Sequence, residues 1–267
     1  MNTPQETRGK LGNGLSWFRS IFILAPLIYF YTAVLGSLSL ISSLFDPDGR
    51  IQHWFACVWS RLILKTAMLP VEFIHGDRID TSRPHVFAAN HISALDIPVL
   101  YSQLPNQFRI IAKKELFRYP FVGWHLRRSG QLPIDLEETA TAIRSLRKAI
   151  ETLRAGMPLV IFPEGGRSES GQIQSFMSGA FYIAIKAQVD IVPLAIVGTF
   201  EALPMNHFHI RPRPLRLVVG EPISTAGMGL HDIATLSAKV QRAVEDLYYA
   251  RAEVSDPRKA AASSSVG

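Results

Sequence analysis

The sequence predicts an α/β domain carried behind a pair of membrane-associated helices. Three observations predict it. From residue 71 onward, short apolar runs alternate with segments of helical periodicity. Upstream, residues 20–45 contain no charged side chain. Finally, one short run, 85–89, ends in Asn90-His91, and a helix start carrying Asp96 follows. A histidine at a strand end beside a carboxylate is suited to proton transfer near neutral pH.

The N-terminal residues 1–16 are polar and predict a mobile tail. Residues 17–70 predict a membrane-associated helical pair. At 1.5 Å per residue a helix over 20–45 is about 39 Å long, against a bilayer core of about 30 Å. That length exceeds a signal-peptide core, and Pro26 is tolerable in a membrane helix. Asp46-Pro47-Asp48-Gly49 is a turn. Residues 51–70 are apolar but interrupted by Arg61 and Lys65, with His53, Trp54 and Trp59 giving interfacial character. This segment is expected to lie in the interface or to return as the second arm of a hairpin. Arg8, Lys10 and Arg19 favour a cytoplasmic N-terminus, so a hairpin or monotopic insertion, the favoured option, would put the rest of the chain on the cytoplasmic side of an inner membrane, whereas a single span would put it outside.

Residues 71–255 make the α/β domain. Its expected strands are 71–74, 85–89, 109–112, 131–134, 159–162, 191–197 and 215–219. Helices are expected between most of them. Over 138–155, Ile143, Leu146, Ile150 and Leu153 share one face, and Gly156 and Pro158 stop the helix. Over 231–251, Ile233, Leu236, Val240, Val244 and Leu247 point inward. Residues 256–267 end in Ala and Ser and are expected to be disordered.

Composition narrows the function. The chain of 267 residues carries a net charge of +6 with only 19% charged residues. Its pI is about 9.6 and its mean hydropathy +0.15. A basic, hydrophobic chain suits anionic lipid. It has neither a basic recognition helix nor aromatic-basic strands, so nucleic acid is not expected as a partner. Cys57 is the only cysteine, which excludes an internal disulfide and a cysteine-based metal site.

His-x4-Asp alone is a weak signal, and the chain contains it twice. His75 and Asp80 have the same spacing as His91 and Asp96, but they sit among turn residues with no helix start behind them. His91 and Asp96 have the context that chemistry needs. A second constellation follows the strand expected at 159–162: Pro163-Glu164-Gly165-Gly166-Arg167-Ser168. Two glycines allow close backbone approach to a ligand, and an arginine can grip a phosphate bidentately.

Together, Asn90-His91-x4-Asp96 and Phe162-Pro163-Glu164-Gly165 closely resemble motifs of the glycerophospholipid acyltransferase family, and within it the 1-acylglycerol-3-phosphate O-acyltransferases. The likeness covers 71–222. The family's F-P-E-G-T-R-S motif reads here with Gly166 in place of Thr. Residues Ile191 to Ile196 resemble a further motif, a strand whose proline helps shape the acyl-donor site. Where the family's second motif carries Arg after Asp, this chain has Leu136. Arg127, Arg128, Lys113, Lys114 and Arg118 are nearby cations that could substitute.

The resemblance implies a single mixed sheet flanked by helices, behind a membrane-associated hairpin. It implies transfer of an acyl group from acyl-CoA or acyl carrier protein to the hydroxyl of a membrane lysolipid. His91 would be the general base and Asp96 its orienting partner. Asn90, Glu164, Gly165, Arg167 and Ser168 would bind substrate. No metal or redox cofactor is implied, and no G-x-S-x-G elbow supports a serine nucleophile. Leu136 keeps other acceptors open, such as a lyso-ornithine lipid. The class-level alternative is a non-catalytic lipid-binding protein.

Overall fold

The computed structural model describes residues 14, 16–135 and 139–259. The tail expected over 1–16 falls almost wholly outside them, as do Leu136 and residues 260–267. A seven-stranded mixed sheet runs in the order β1-β7-β6-β2-β5-β3-β4. Its strands are β1 (Val71–Ile74), β2 (Val86–Ala89), β3 (Arg109–Lys113), β4 (Leu132–Ile134), β5 (Leu159–Ile161), β6 (Ile191–Val197) and β7 (Leu215–Val219). Every described pairing is parallel except β6 with β7. Each strand falls where the sequence pattern puts it, within a residue or so at either end. Strands β2, β5 and β6 are buried along their whole length, which is why they appear as unbroken apolar runs.

Helices cover both faces. On one lie α1 (Ala25–Ser42), α2 (Arg50–Thr66) and α3 (Asp96–Gln103), whose Leu24 approach, Ile63, Leu64 and Val99 pack with Phe87, Ala89 and Val192. On the other lie α5 (Thr139–Arg154), α6 (Gly179–Ala187) and α8 (Ile233–Tyr249) against Val86, Ala88 and Ile161. The short helix α4 (Val122–Arg128) lies between β3 and β4, and α7 (Thr199–Ala202) follows β6. The alternation of Val86 and Ala88 with Phe87 and Ala89 serves the two cores.

One expectation needs adjustment. Ile143 was assigned to the inner face of α5 but is 55% exposed, while Leu153 is buried. Along this face of α5, cover increases from exposed Ile143 through half-buried Leu146 and Ile150 to buried Leu153. The segment 51–70, expected to lie in the interface or to return as the second arm of a hairpin, also supplies Ile63, Leu64, Ala67 and Leu69 to the main core. Helix α2 is therefore as much a domain helix as the partner of α1. Of the stretch 256–267, Arg258 is held to Asp256 at 2.8 Å and to Asp246 at 2.7 Å.

The apolar stretch Ser16–Ser42 is long enough to cross a membrane and is hardly buried. It is tied to the domain along its length. Near its start, Arg19 donates to the Ile210 carbonyl at 3.0 Å, and the Ile210 amide donates to Ser20 at 3.0 Å. In the middle, Trp59 donates to Thr32 at 2.9 Å. At its end, Ser39 Oγ meets His125 Nδ1 at 3.1 Å.

Candidate active site

The strand order explains how residues 73 positions apart come together. β2 lies between β5 and β6, parallel to both, so the loops leaving the three strands meet at one edge of the sheet. Open α/β sheets place ligands at that carboxyl edge.

His91 leaves the end of β2. Its Nδ1 lies 2.9 Å from Asp96 Oδ2. The same oxygen accepts the Ile92 and Ser93 amides at 2.8 and 2.9 Å. Asp96 is fully buried at the start of α3, where a helix N-terminus favours negative charge. The other oxygen, Oδ1, accepts a 2.7 Å bond from Thr199 Oγ1. A carboxylate held this way fixes the tautomer in which Nδ1 carries the proton and Nε2 the lone pair. The His91 ring stacks on Phe162, centroids 4.0 Å apart at 20°. Nε2 makes no hydrogen bond among the described residues, and the side chain keeps 19% exposure. The arrangement leaves His91 with one ring nitrogen bound to a buried carboxylate and the other without a partner among the described residues.

The other expected site residues divide into frame and rim. Asn90 is fully buried, and its amide both donates to Ile196 O at 3.0 Å and accepts from Ile196 N at 2.7 Å. It locks β2 to β6 and so sets where His91 emerges. Glu164 accepts the His91 amide at 2.7 Å on one oxygen and the Gln174 amide at 2.8 Å on the other. Burial pushes its carboxyl up to about 7, against those two amide bonds and with a further upward push from Asp96. The Ser168 amide donates to the His91 carbonyl at 3.0 Å. Asn90, Glu164 and the Ser168 backbone therefore build the frame that holds the His91 loop.

Gly165 turns the chain at φ +73°, where a Cβ would lie 2.7 Å from Met177 Sδ. Gly166 has open space, with only Lys113 Nζ, 3.9 Å from where a Cβ would stand. Arg167 is exposed and has no hydrogen bond or ion pair among the described residues. Lys113 and Arg167 thus flank Gly166 at the rim. Of the other nearby cations, Lys114 pairs with Asp135 at 2.5 Å, and Arg127 is bonded to the Phe117 and Gly123 carbonyls. His75 is exposed, and Asp80 is bonded to Ser82 and Arg83, so the second His-x4-Asp match builds no pair.

Sequence reasoning missed Thr199, which lies 103 residues from the carboxylate it serves. Gly198, at φ +89° and with a Cβ position 2.9 Å from the Pro214 carbonyl, turns β6 into α7 and aims Thr199 inward. A glycine closing an apolar strand was the one available signal.

Comparison with known proteins places this geometry. Residues 71–197 match the family model described as Acyltransferase. A chloroplastic 1-acyl-sn-glycerol-3-phosphate acyltransferase of Arabidopsis thaliana is 31% identical over 191 residues, covering 67% of this chain and 51% of that protein. The alpha 1-acyl-sn-glycerol-3-phosphate acyltransferase of Homo sapiens is 28% identical over 191 residues, 68% of each chain. The chain thus spans about half the length of the first plant relatives it matches. The crystal structure of the 1-acyl-sn-glycerophosphate (LPA) acyltransferase from Thermotoga maritima superposes with a TM-score of 0.70 at 28% identity, covering 89% of this chain and 97% of that one. By motif, fold and sequence likeness, residues 71–197 of this chain form an acyltransferase-family domain similar to those of the 1-acyl-sn-glycerol-3-phosphate acyltransferases.

Proposed function

We propose that the protein transfers a fatty acyl group from a thioester, acyl-CoA or acyl carrier protein, to the free hydroxyl of 1-acylglycerol-3-phosphate, giving phosphatidic acid. The observation that carries the reading is the buried Asp96 behind His91 Nδ1, with Nε2 left accessible. His91 takes the hydroxyl proton as the acceptor oxygen attacks the thioester carbonyl. Asp96 stabilises the resulting imidazolium. The tetrahedral intermediate then collapses, the C–S bond breaks, and the leaving thiolate recovers the proton from His91. No covalent enzyme intermediate is needed, because the acceptor itself attacks. Lys113 and Arg167 are placed to grip the acceptor's phosphate, Arg167 bidentately. Gly165 and Gly166 let the backbone approach it. The relatives' names supply the acceptor class.

The proposed setting is the cytoplasmic face of an inner membrane. Because the stretch Ser16–Ser42, which includes α1, is tied to the domain at its start, middle and end, it lies along the domain. That favours a helix embedded in the interface beside the domain over one that crosses the bilayer away from it. A second acceptor, a lyso-ornithine lipid, is favoured by Leu136 standing where the family carries arginine.

An acceptor panel tests both. Membranes holding wild type or His91→Ala receive labelled acyl donor with lysophosphatidic acid or lyso-ornithine lipid. Removing a general base typically costs about 10²–10⁴-fold, so the variant should be nearly silent. Label in phosphatidic acid from wild type alone supports the first acceptor, and label only in the aminolipid replaces it. Equal transfer by both proteins refutes the mechanism.

A further inference from the structure

We propose that the segment from Leu116 to Trp124, between β3 and β4, is a second membrane contact: an aromatic loop that enters an anionic bilayer beside α1 and seats the mouth of the site on the lipid. The proposal rests on the membrane-surface reading above and adds a surface that reading does not use.

Five large apolar side chains crowd this segment in the open. Leu116 is 42% exposed, Tyr119 60%, Phe121 66%, Val122 49% and Trp124 51%. A contiguous apolar patch of this kind on a folded chain marks an interaction surface. The segment is firmly built. The Val122 amide donates to Pro120 O at 2.7 Å and the Gly123 amide to Tyr119 O at 2.8 Å. Gly123 lies so close to Phe117 that a Cβ would stand 2.2 Å from its carbonyl oxygen. Phe121 sits at φ 59°, ψ −59°, a conformation that bulky residues avoid. That backbone holds the Phe121 and Trp124 rings 5.2 Å apart on the outside of the turn.

Three features identify the occupant as lipid. The patch continues onto α1, where Leu38 and Ile41 are exposed on either side of Ser39, the residue that meets His125 of α4. Tyrosine and tryptophan are the residues that favour the membrane–water boundary. Arg118 within the segment and Arg128 just after it are exposed, and Glu115 is the only acid between residues 113 and 128. Cations around an apolar tip complement anionic headgroups. Position gives the loop its role. It follows directly from Lys113, whose Nζ reaches toward Gly166 at the rim of the site. Docking it would bring that rim to the headgroup level, where a lysolipid presents its hydroxyl.

The test uses the full chain with Cys57→Ser and a single Tyr119→Cys, labelled with an environment-sensitive fluorophore. The protein is reconstituted into phosphatidylcholine vesicles with or without phosphatidylglycerol, carrying lipid brominated near the headgroup. Matching labels at Phe22→Cys, in the apolar stretch just before α1, and Lys239→Cys on α8 serve as controls. The label at 119 should be quenched with that at 22, more strongly with phosphatidylglycerol, while the label at 239 stays bright. Quenching at 22 without quenching at 119 overturns the proposal. So does a label at 119 that responds to acidic acyl carrier protein and not to vesicles. None of these readouts needs turnover, so a wrong acceptor would not disturb them. In an active preparation, Phe121→Gly/Trp124→Ser should lose about tenfold in rate on a long-chain acceptor in vesicles, equivalent to part of one aromatic side chain's burial. Its rate on a short-chain, water-soluble acceptor should be unchanged. An equal loss on both acceptors would also overturn the proposal.

Discussion

Replacing Asp96 by Asn isolates the charge behind the proposed base. The two side chains have the same shape. An asparagine carbonyl can accept what Asp96 Oδ2 now accepts, the Ile92 and Ser93 amides and His91 Nδ1. Its amide nitrogen would then face Thr199 Oγ1, which can act as acceptor in place of its present role as donor. The geometry survives and the negative charge goes. With about 4 Å between the carboxylate and the centre of the imidazolium charge, and an effective dielectric of about 20, that charge is worth about 4 kcal/mol. The imidazolium exists only after proton transfer, so the loss falls on the transition state and not on substrate binding. At 1.4 kcal/mol per decade the ceiling is nearly 10³-fold in kcat, and with the neutral acceptor retained a fall of about 10²-fold or more is expected. KM for thioester and acceptor should stay near wild type. The assay is thiol release from a long-chain acyl thioester with lysophosphatidic acid in mixed micelles, with the thermal midpoint confirming that the variant folds. A folded D96N enzyme within threefold of wild type in kcat would refute the reasoning. A defect confined to KM would do the same, since it would place Asp96 in binding.

Two further outcomes follow from the same geometry. Thr199→Val leaves Asp96 Oδ1 without its described partner and should lower kcat about tenfold, while Thr199→Ser restores the hydroxyl and most of the rate; equal rates for the two variants would mean that the methyl, not the hydroxyl, matters. Glu164 is an acid whose carboxyl is raised to about 7 by burial, so the folded chain holds that proton more tightly than the unfolded one. Its contribution is fully present below about pH 4.5 and is lost as pH rises through about 7, at most about 3 kcal/mol in all. Denaturant unfolding at pH 5 and pH 8 should show that decline in wild type and a shallower one in Glu164→Gln, and identical slopes would exclude Glu164 as its source.

The strands and the His91–Asp96 contact were legible in the sequence for physical reasons. Strands buried on both faces must be apolar at every position, so they stand out as short runs between turn residues. His91 and Asp96 are close in sequence because a strand end and the next helix start are close in space, and that joint is where such sheets expose side chains. What stayed hidden depends on direction and distance. The types of Asn90 and Glu164 suggested ligands, yet both spend their polar atoms on backbone groups of neighbouring segments. Residue type alone does not say which way a side chain points. Thr199 belongs to the site through the parallel pairing of β2 with β6, a tertiary fact with no local periodicity. That one face of α2 packs on the protein core was not legible, because an amphipathic helix facing a core has the same pattern as one facing lipid. Ile143 misled because periodicity marks a face but not where cover along that face ends.

The anchoring of α1 bears on why such a site would sit at a membrane at all. On the proposed reaction both substrates carry fatty chains, and each CH₂ moved from hydrocarbon to water costs about 0.8 kcal/mol. Drawing a chain of about 14 such groups into water would cost about 11 kcal/mol, more than a few polar contacts to a headgroup can return. A freely tethered domain would leave the distance between base and bilayer unset. Here the helix is bonded to the domain at Ile210, at Trp59 and at His125, so the depth of α1 fixes the height of the sheet edge. The frame of Asn90, Glu164 and Thr199 then fixes His91 relative to that edge. Proton transfer tolerates errors of a few tenths of an ångström, and a lipid hydroxyl cannot travel far from its headgroup plane. A base rigid in the domain, in a domain rigid on its helix, meets both conditions, whereas either linkage made loose would leave the base present but out of reach.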